Sequence, residues 1–236
     1  MSEYVQLSPK DGTSMQAYTA IPAQGNGPTD SGASCGVIVI QEAFGVNHYI
    51  RGIADRFAKE GYLSIAPELF HRTAPPGFET PYTAMDRSHM GALTDEGIAA
   101  DLAAAYEWLV RQKAEKIAAV GFCMGGRAAF LADATLPLAA AVSFYGGGIA
   151  QTLLPRAKDL RAPILLLGGG FDKHISATDR RAVLDALDAA GKPYAHVLWS
   201  DADHGFFCDE RASFSPSASA QAWPLTLAFL RTHLGI

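Results

Sequence analysis

The sequence has 236 residues, of which 49% are hydrophobic and 18% are charged, with a formal net charge of −5 at pH 7. This length suits one domain with a sizeable core, and the composition predicts an ordered globular fold rather than disorder. The negative charge, without any long basic run, argues against nucleic acid or an anionic membrane as a partner. No stretch approaches the roughly 18 apolar residues of a membrane span.

The first residues and the cysteines indicate a compartment. The N-terminal segment carries an acid and lacks the apolar region of a signal peptide. Cys35, Cys123 and Cys208 are odd in number, far apart and free of any C-x-x-C spacing. Neither a disulfide framework nor a zinc site is expected, and a cytoplasmic location is predicted.

Short apolar runs alternate with amphipathic helical patterns along the chain. Strands are predicted at residues 4–7, 14–20, 36–40, 62–66, 116–120, 140–144, 164–167 and 195–199. Helices are predicted at residues 47–60, after the capping residue Thr94, and at 125–134, 178–190 and 217–233. Residues 22–34 and 67–93 are predicted loops, and the second is long enough to carry function. Repeated β-α units predict an α/β fold in one domain over residues 1–236, a mostly parallel sheet with helices on both faces.

The most specific motif lies where a predicted strand gives way to a helix. It is Gly121-Phe122-Cys123-Met124-Gly125-Gly126-Arg127. This matches the nucleophile elbow, G-x-S-x-G, with cysteine in place of serine. The glycines remove side chains that would collide in so sharp a turn, and the following helix points its N-terminus at the sulfur, which favours the thiolate.

Two later loops supply a base and an acid for this nucleophile. Asp172 follows the predicted strand 164–167, and His204 follows the predicted strand 195–199. The order nucleophile, acid, histidine is that of the α/β-hydrolases. Loops that follow parallel strands meet at the same edge of the sheet, so a triad of Cys123, Asp172 and His204 is predicted.

An oxyanion hole needs two backbone N–H donors. One is predicted at Met124, directly after the nucleophile, and the other at Ala43 in the loop 41–45. Glu42 is an unusual residue for that loop. A carboxylate near Cys123 would favour the thiol by charge repulsion or accept its proton.

Each assignment has a structural alternative. Cys123 could be a small buried residue, Asp172 a turn cap, His204 an ordinary loop histidine and Glu42 a polar loop residue. Tyr145 and Phe206 could line a pocket or belong to the core. A non-catalytic binding protein on a hydrolase scaffold is the competing function. No nucleotide-phosphate motif or metal-ligand spacing is found, so cofactor-free and metal-free catalysis is expected.

Together these motifs resemble those of the dienelactone hydrolase family, the carboxymethylenebutenolidases. The matching segments run in family order over about residues 36 to 231: residues 41–45, 66–70, 121–127, 145–146, 169–172, 204–206 and 222–223. The combination of a cysteine elbow with a glutamate in the loop 41–45 is the most specific part.

The resemblance implies an α/β-hydrolase that opens small esters or lactones through a thioester acyl-enzyme. Glu42 would hold the cysteine at rest until substrate displaces it. Two arginines would grip a substrate carboxylate, and Arg72 stands at the position of the first. The position of the second holds Cys208, so Arg211 is the candidate substitute. The resemblance also leans towards a monomer or weak homo-oligomer.

Overall fold

A computed structural model of the chain describes residues 2–23, 34–84, 86 and 88–236, without the side chain of Ser34. The predicted loop 22–34 therefore lies mostly outside the described residues. The strands are β1 (Ser2–Leu7), β2 (Met15–Ala20), β3 (Ser34–Ile40), β4 (Leu63–Pro67), β5 (Ala114–Phe122), β6 (Ala140–Phe144), β7 (Ile164–Gly169) and β8 (Tyr194–Trp199). The helices are α1 (His48–Lys59), α2 (Ser88–Gly91), α3 (Asp95–Arg111), α4 (Met124–Thr135), α5 (Ile149–Thr152), α6 (Ala177–Ala189) and α7 (Pro216–Leu234).

The predicted α/β class is confirmed, because the described strands form an eight-stranded, mostly parallel sheet and helices alternate with them. The chain divides into two compact units, Met1–Ala119 with Ile236 and Val120–Gly235. Strand β5 begins in the first unit and ends in the second. A single domain remains a prediction.

The first unit begins with a hairpin that the sequence predicts. Strands β1 and β2 pair antiparallel, and Gly12 turns the chain between them with φ of 82°. Strand β2 also pairs antiparallel with β4, and β4 pairs parallel with β3. Asn47 caps α1 by accepting from the Ile50 N–H, and Thr94 caps α3 in the same way from Gly97. These side chains satisfy backbone donors that a helix start leaves without partners.

The second unit carries three parallel strands in the order β6, β7, β8. Their register aligns Ser143 with Leu166 and Leu166 with His196, so these three side chains share one face of the sheet. Five aromatic rings pack together near the ends of these strands, in contacts that include Phe144 against Phe207 at 4.8 Å between centroids. The cluster consists of Phe122, Phe144, Tyr145, Phe206 and Phe207.

Most of the predicted elements match the observed ones to within two residues. The exceptions are short. Helix α2 interrupts the long loop predicted at 67–93, and α5 with the 3-10 helix Leu154–Asp159 follows β6 without a strong apolar period in the sequence. Among the described residues, no helix is both long and apolar enough to span a bilayer.

Candidate active site

Cys123 sits in a strained backbone conformation at the junction of β5 and α4. Its φ is 56° and its ψ is −119°, a region that residues with a side chain rarely adopt. A Cβ at Gly121 would overlap the Gly125 carbonyl, so only glycine fits there. The Cys123 N–H donates to the Phe144 carbonyl at 3.0 Å, which ties the turn to β6. The surrounding structure therefore holds the conformation that exposes the sulfur.

The loop after β7 fixes the predicted acid. A Cβ at Gly169 would overlap the Ala202 carbonyl, and the Phe171 N–H donates to that carbonyl at 2.9 Å. Close approach of the two backbones thus brings the loop of Asp172 beside the loop of His204. The Oδ1 atom of Asp172 accepts from the backbone N–H groups of His174 and Ile175, at 2.7 and 3.2 Å. Both the position and the rotamer of the carboxylate are set by the backbone.

The remaining oxygen of Asp172 meets the predicted base. The His204 Nδ1 and Asp172 Oδ2 atoms are 2.8 Å apart, and both side chains are buried. Burial works against a charged Asp172, but the hydrogen bond and charge of His204 lower the pKa of this carboxyl below its ordinary value. The contact with His204 therefore favours the charged form of the Asp172 carboxylate.

The same imidazole interacts with the sulfur of Cys123. Burial alone would lower the pKa of His204, but hydrogen bonds to Asp172 and Cys123 and the charges of both raise that pKa well above its ordinary value. Nδ1 is engaged by Asp172, so the Cys123 bond falls to the other ring nitrogen. The three predicted triad residues meet at one place within the second unit.

The other predicted residues of the second unit surround this pair. The Tyr145 ring stands edge-on to His204 with 5.1 Å between centroids, and Tyr145 has a strained φ of 38°. Phe206 is fully buried against Tyr145 and Trp199, so it supports the wall rather than forming an open surface. The Arg211 guanidinium lies against the Cα of Gly205, next to the base. Cys208, at the position where the family resemblance implies an arginine, is buried.

Met124 is the first residue of α4, one position before the predicted start of this helix. Helix geometry gives the backbone N–H of this position no partner inside the helix. The role of this N–H as an oxyanion donor stays a prediction.

One residue next to the pair was not identified from the sequence. The His174 ring lies edge-on to the His204 ring, with 4.9 Å between centroids, while its backbone N–H holds Asp172. Its only sequence signal is its place two residues after the acid. The sequence position alone does not fix whether this side chain faces the site or the solvent, because that depends on the conformation of the turn.

Glu42 and Ala43 belong to the first unit, where both are buried. Gln41 fixes their loop: its amide donates to the Glu42 carbonyl at 3.2 Å, and its oxygen accepts from the Leu69 N–H at 3.0 Å. Gly45 turns the loop with φ of 82°. The loop is rigidly held, and the roles of Glu42 and Ala43 stay predictions.

Arg72, which the family resemblance implies as a residue that binds a substrate carboxylate, is paired with two acidic side chains of the first unit. Its NH1 and NH2 atoms each bond Asp101 at 2.8 Å, and its Nε and NH2 atoms bond Asp11 at 2.9 and 2.6 Å. These two carboxylates raise the pKa of the guanidinium and take up four of its five donors. A substrate carboxylate would have to displace one of them. The role of Arg72 in substrate binding stays a prediction.

No group of three or more His, Cys, Asp or Glu side chains with metal-binding geometry occurs among the residues that the structure describes. The three cysteines are free thiols.

Known proteins are similar to this chain in sequence and in fold. The sequence profile of the dienelactone hydrolase family matches residues 15–234. A Synechocystis protein provisionally named carboxymethylenebutenolidase is 33% identical over 84% of this chain and 86% of its own. The carboxymethylenebutenolidase of Pseudomonas sp. strain P51 is 29% identical over 98% of this chain and 95% of its own.

A crystal structure from Klebsiella pneumoniae, provisionally described as a dienelactone hydrolase, has a TM-score of 0.85 with 33% identity, covering 97% of this chain and 98% of that one. The α/β-hydrolase fold predicted from the sequence is thereby confirmed. The chain belongs to the dienelactone hydrolase family and is a carboxylic ester hydrolase.

Proposed function

We propose that the protein hydrolyses small esters or lactones, of the dienelactone type and bearing a carboxylate, through a covalent thioester on Cys123. One observation carries this proposal: the His204–Asp172 bond of 2.8 Å, whose imidazole also interacts with a cysteine held in a strained elbow. A buried imidazole between a carboxylate and a thiol is the arrangement that activates a cysteine nucleophile.

In the first half of the reaction, the Cys123 thiol passes its proton to His204, and the resulting thiolate attacks the carbonyl carbon of the substrate. The Met124 N–H stabilises the oxyanion, and Ala43 is proposed as the second donor. When the C–O bond breaks, the His204 imidazolium gives its proton to the leaving oxygen. In a lactone, that oxygen stays attached to the acyl group as a new hydroxyl or enol.

In the second half, water attacks the thioester. His204 takes one proton from this water, the sulfur leaves as the thiolate, and the imidazolium returns the proton to the sulfur to restore the resting thiol. Asp172 stays ionised and holds the imidazole in the correct tautomer and orientation, as its two backbone hydrogen bonds require.

Recognition of a carboxylate is assigned to Arg211. Its guanidinium lies against Gly205, directly after the catalytic histidine, and a planar guanidinium suits bidentate binding of a carboxylate. Tyr145 would form the apolar side of the pocket, and Phe206 would support it from behind. The names of the relatives, carboxymethylenebutenolidases, point to the same kind of substrate.

Glu42 is proposed to hold Cys123 in its resting thiol form until substrate binds. This role follows from the family resemblance and from a fully buried carboxylate on a rigid loop. We further propose a cofactor-free enzyme of the cytoplasm, active as a monomer or weak homo-oligomer. Three free thiols fit a reducing compartment.

The test compares hydrolysis of a dienelactone and of an aryl acetate by the wild type, Cys123→Ala and the control Cys35→Ala. Cys35 is buried in β3 and has no part in the proposed chemistry. We expect Cys123→Ala to lose at least about 10³-fold in kcat on both substrates, with unchanged melting behaviour and an unaffected control. Mass spectrometry of the wild type quenched during turnover should show an acyl group on Cys123. Full activity of Cys123→Ala would contradict the proposal, and failure of any activated ester to acylate the protein would support a non-catalytic binding protein.

A further inference from the structure

A cavity lies behind the catalytic acid, on the face of the second unit that α5 and α6 cover. Its floor is the aligned row of Ser143, Leu166 and His196 on three neighbouring strands. Its roof is the inner side of α6, and its end walls are Ile149 and Ile175. Neither Cys123 nor His204 lines it, whereas Asp172 and Tyr145 of the proposed active site form part of its wall.

The walls of the cavity are apolar, but three polar side chains converge on it. The Ser143 hydroxyl is buried and has no hydrogen-bond partner among the described residues. Within the same part of the chain, the His196 ring makes no hydrogen bond, and the Arg180 guanidinium makes one, from NH1 to the Ile175 carbonyl at 2.7 Å. A buried polar group without a partner costs free energy, so natural proteins keep one where a ligand or water satisfies it.

The cavity wall contains Arg180, a cation with unused donors, beside the carboxylate of Asp172. Burial lowers the pKa of His196, and the nearby charge of Arg180 lowers it further. Asp172 also lines the cavity, but its oxygens are already occupied, Oδ2 by His204 and Oδ1 by two backbone N–H groups. The unused N–H groups of Arg180, the Ser143 hydroxyl and a neutral imidazole suit one carboxylate group.

The size of the cavity limits the rest of the ligand. Its volume is about 50 Å³, several times the roughly 10–15 Å³ that one water occupies on this scale, so the cavity admits only a small organic ligand. The apolar contacts come from Ile149, Leu166, Val183 and Leu184. They suit a chain of one to three carbons.

We propose that this cavity is a binding site for short-chain carboxylates of two to four carbons, held by Arg180, Ser143 and His196. The carboxylate lies against Arg180 and the alkyl chain against Leu166 and Val183. Because Asp172 and Ile175 form part of its wall, a bound carboxylate contacts the loop that positions the catalytic acid. The site does not depend on the proposed chemistry of Cys123.

The experiment titrates the full-length protein with propionate at constant ionic strength and follows backbone amide chemical shifts by NMR. Propionamide serves as the neutral isostere, because it keeps the shape and removes the charge. We expect saturable shifts at Gly168, Ile175 and Leu184 with a dissociation constant of roughly millimolar order, and at least tenfold weaker binding of propionamide. The Cys123→Ala variant should bind propionate equally well, which separates this site from the proposed chemistry.

Three variants sharpen the titration. Arg180→Gln should weaken propionate binding at least tenfold, whereas the matched control Arg181→Gln, exposed on the same helix, should change it less than twofold. Ser143→Ala removes a hydroxyl that has no hydrogen-bond partner among the described residues. This variant should therefore weaken propionate binding while the fold remains intact. Equal binding by Arg180→Gln and Arg181→Gln would overturn the proposal. So would shifts confined to residues around Cys123, or equal affinity for propionamide.

Discussion

The protein contains two buried acid–imidazole pairs that differ in every other contact. In the second unit, His204 Nδ1 lies 2.8 Å from Asp172; in the first unit, His71 Nε2 lies 3.1 Å from Asp101. All four side chains are less than a tenth exposed. By distance and burial alone, either pair could be the half of a catalytic triad.

Their further partners separate the two pairs. Asp101 also takes two bonds from Arg72, so its charge is matched by a permanent cation. The Nδ1 atom of His71 is buried and has no hydrogen-bond partner among the described residues. His204, in contrast, has Cys123 on its other side. A buried acid–imidazole pair activates a nucleophile only under two conditions. No permanent cation neutralises the carboxylate, and the free nitrogen of the imidazole faces a nucleophilic side chain.

The largest expected effect comes from Asp172→Asn. Removing the charge leaves the pKa of His204 without the interaction that raises it and permits the wrong tautomer, so we expect kcat to fall by about 10³–10⁴-fold. The lowered pKa of Asp172 means that the stabilisation by this pair is present above the ordinary carboxyl pKa and fades as the pH falls further. The raised pKa of His204 means that its contribution to stability is present below the ordinary imidazole pKa. This contribution is lost as the pH rises through the raised value.

These kinetics are measured as pH–rate profiles of the wild type and Asp172→Asn. Retention of more than a tenth of the wild-type kcat would remove Asp172 from the triad. A compensating rate from the neighbouring carboxylates can be checked with Asp203→Asn, since the Asp203 carboxylate accepts the His204 backbone N–H at 2.6 Å.

Asp101→Asn tests the second pair, and the expected effect is on stability. Arg72 and His71 lose their shared anion, and breaking a buried ion pair from one side costs several kcal/mol, reduced here because Arg72 is 27% exposed. We expect the free energy of unfolding in urea to fall by about 2–3 kcal/mol, while kcat stays within about threefold. A large loss of kcat in folded Asp101→Asn would make the two pairs functionally equivalent.

The two arginines assigned to a substrate carboxylate should separate in KM. Arg211→Gln should raise KM for a carboxylate-bearing lactone about tenfold, equivalent to about 1.4 kcal/mol of binding, and leave a neutral aryl acetate unaffected. Arg72→Gln should lower the melting temperature without changing the ratio of the two KM values. The opposite pattern would return the role to Arg72.

Another buried carboxylate, Asp133, lacks an imidazole partner among the described residues. Its substitution should have the smallest effect, which is on stability. Its Oδ1 accepts from the Arg161 and Ala162 N–H groups at 3.3 and 2.9 Å, and burial raises its pKa to about 7. Over this range the folded state holds a proton that the unfolded state releases. The free energy of unfolding therefore falls as the pH rises from about 4 to about 7.

Asp133→Asn removes this titration. We expect the melting temperature of the variant, relative to the wild type, to rise by a few degrees between pH 5 and pH 8. Melting curves in matched buffers measure it, with the exposed Asp185→Asn as the control. A difference that stays constant with pH would show that Asp133 is already ionised in the folded protein.

The sequence predicts the parts of the fold that local physics controls. Strands such as Ala140–Phe144 are continuous apolar runs, and helices such as Asp95–Arg111 begin at a capping residue and keep one apolar side. Helix α5 was missed, because four residues are too few for a helical period to register. The places of Cys123, Asp172 and His204 follow from the same local patterns, since each comes directly after a strand.

The elements, the elbow and the order of the candidate triad can be predicted from the sequence, because they depend on neighbours within a few residues. The partners of each charged side chain depend on the tertiary structure. Arg72 meets Asp11 and Asp101, which are 61 and 29 residues away, and no local pattern announces such contacts. The His174 ring beside His204, and the row of Ser143 and His196 under α6, likewise depend on turns and strand register. Distant contacts arise from packing, and packing is settled by the whole chain rather than by any one segment.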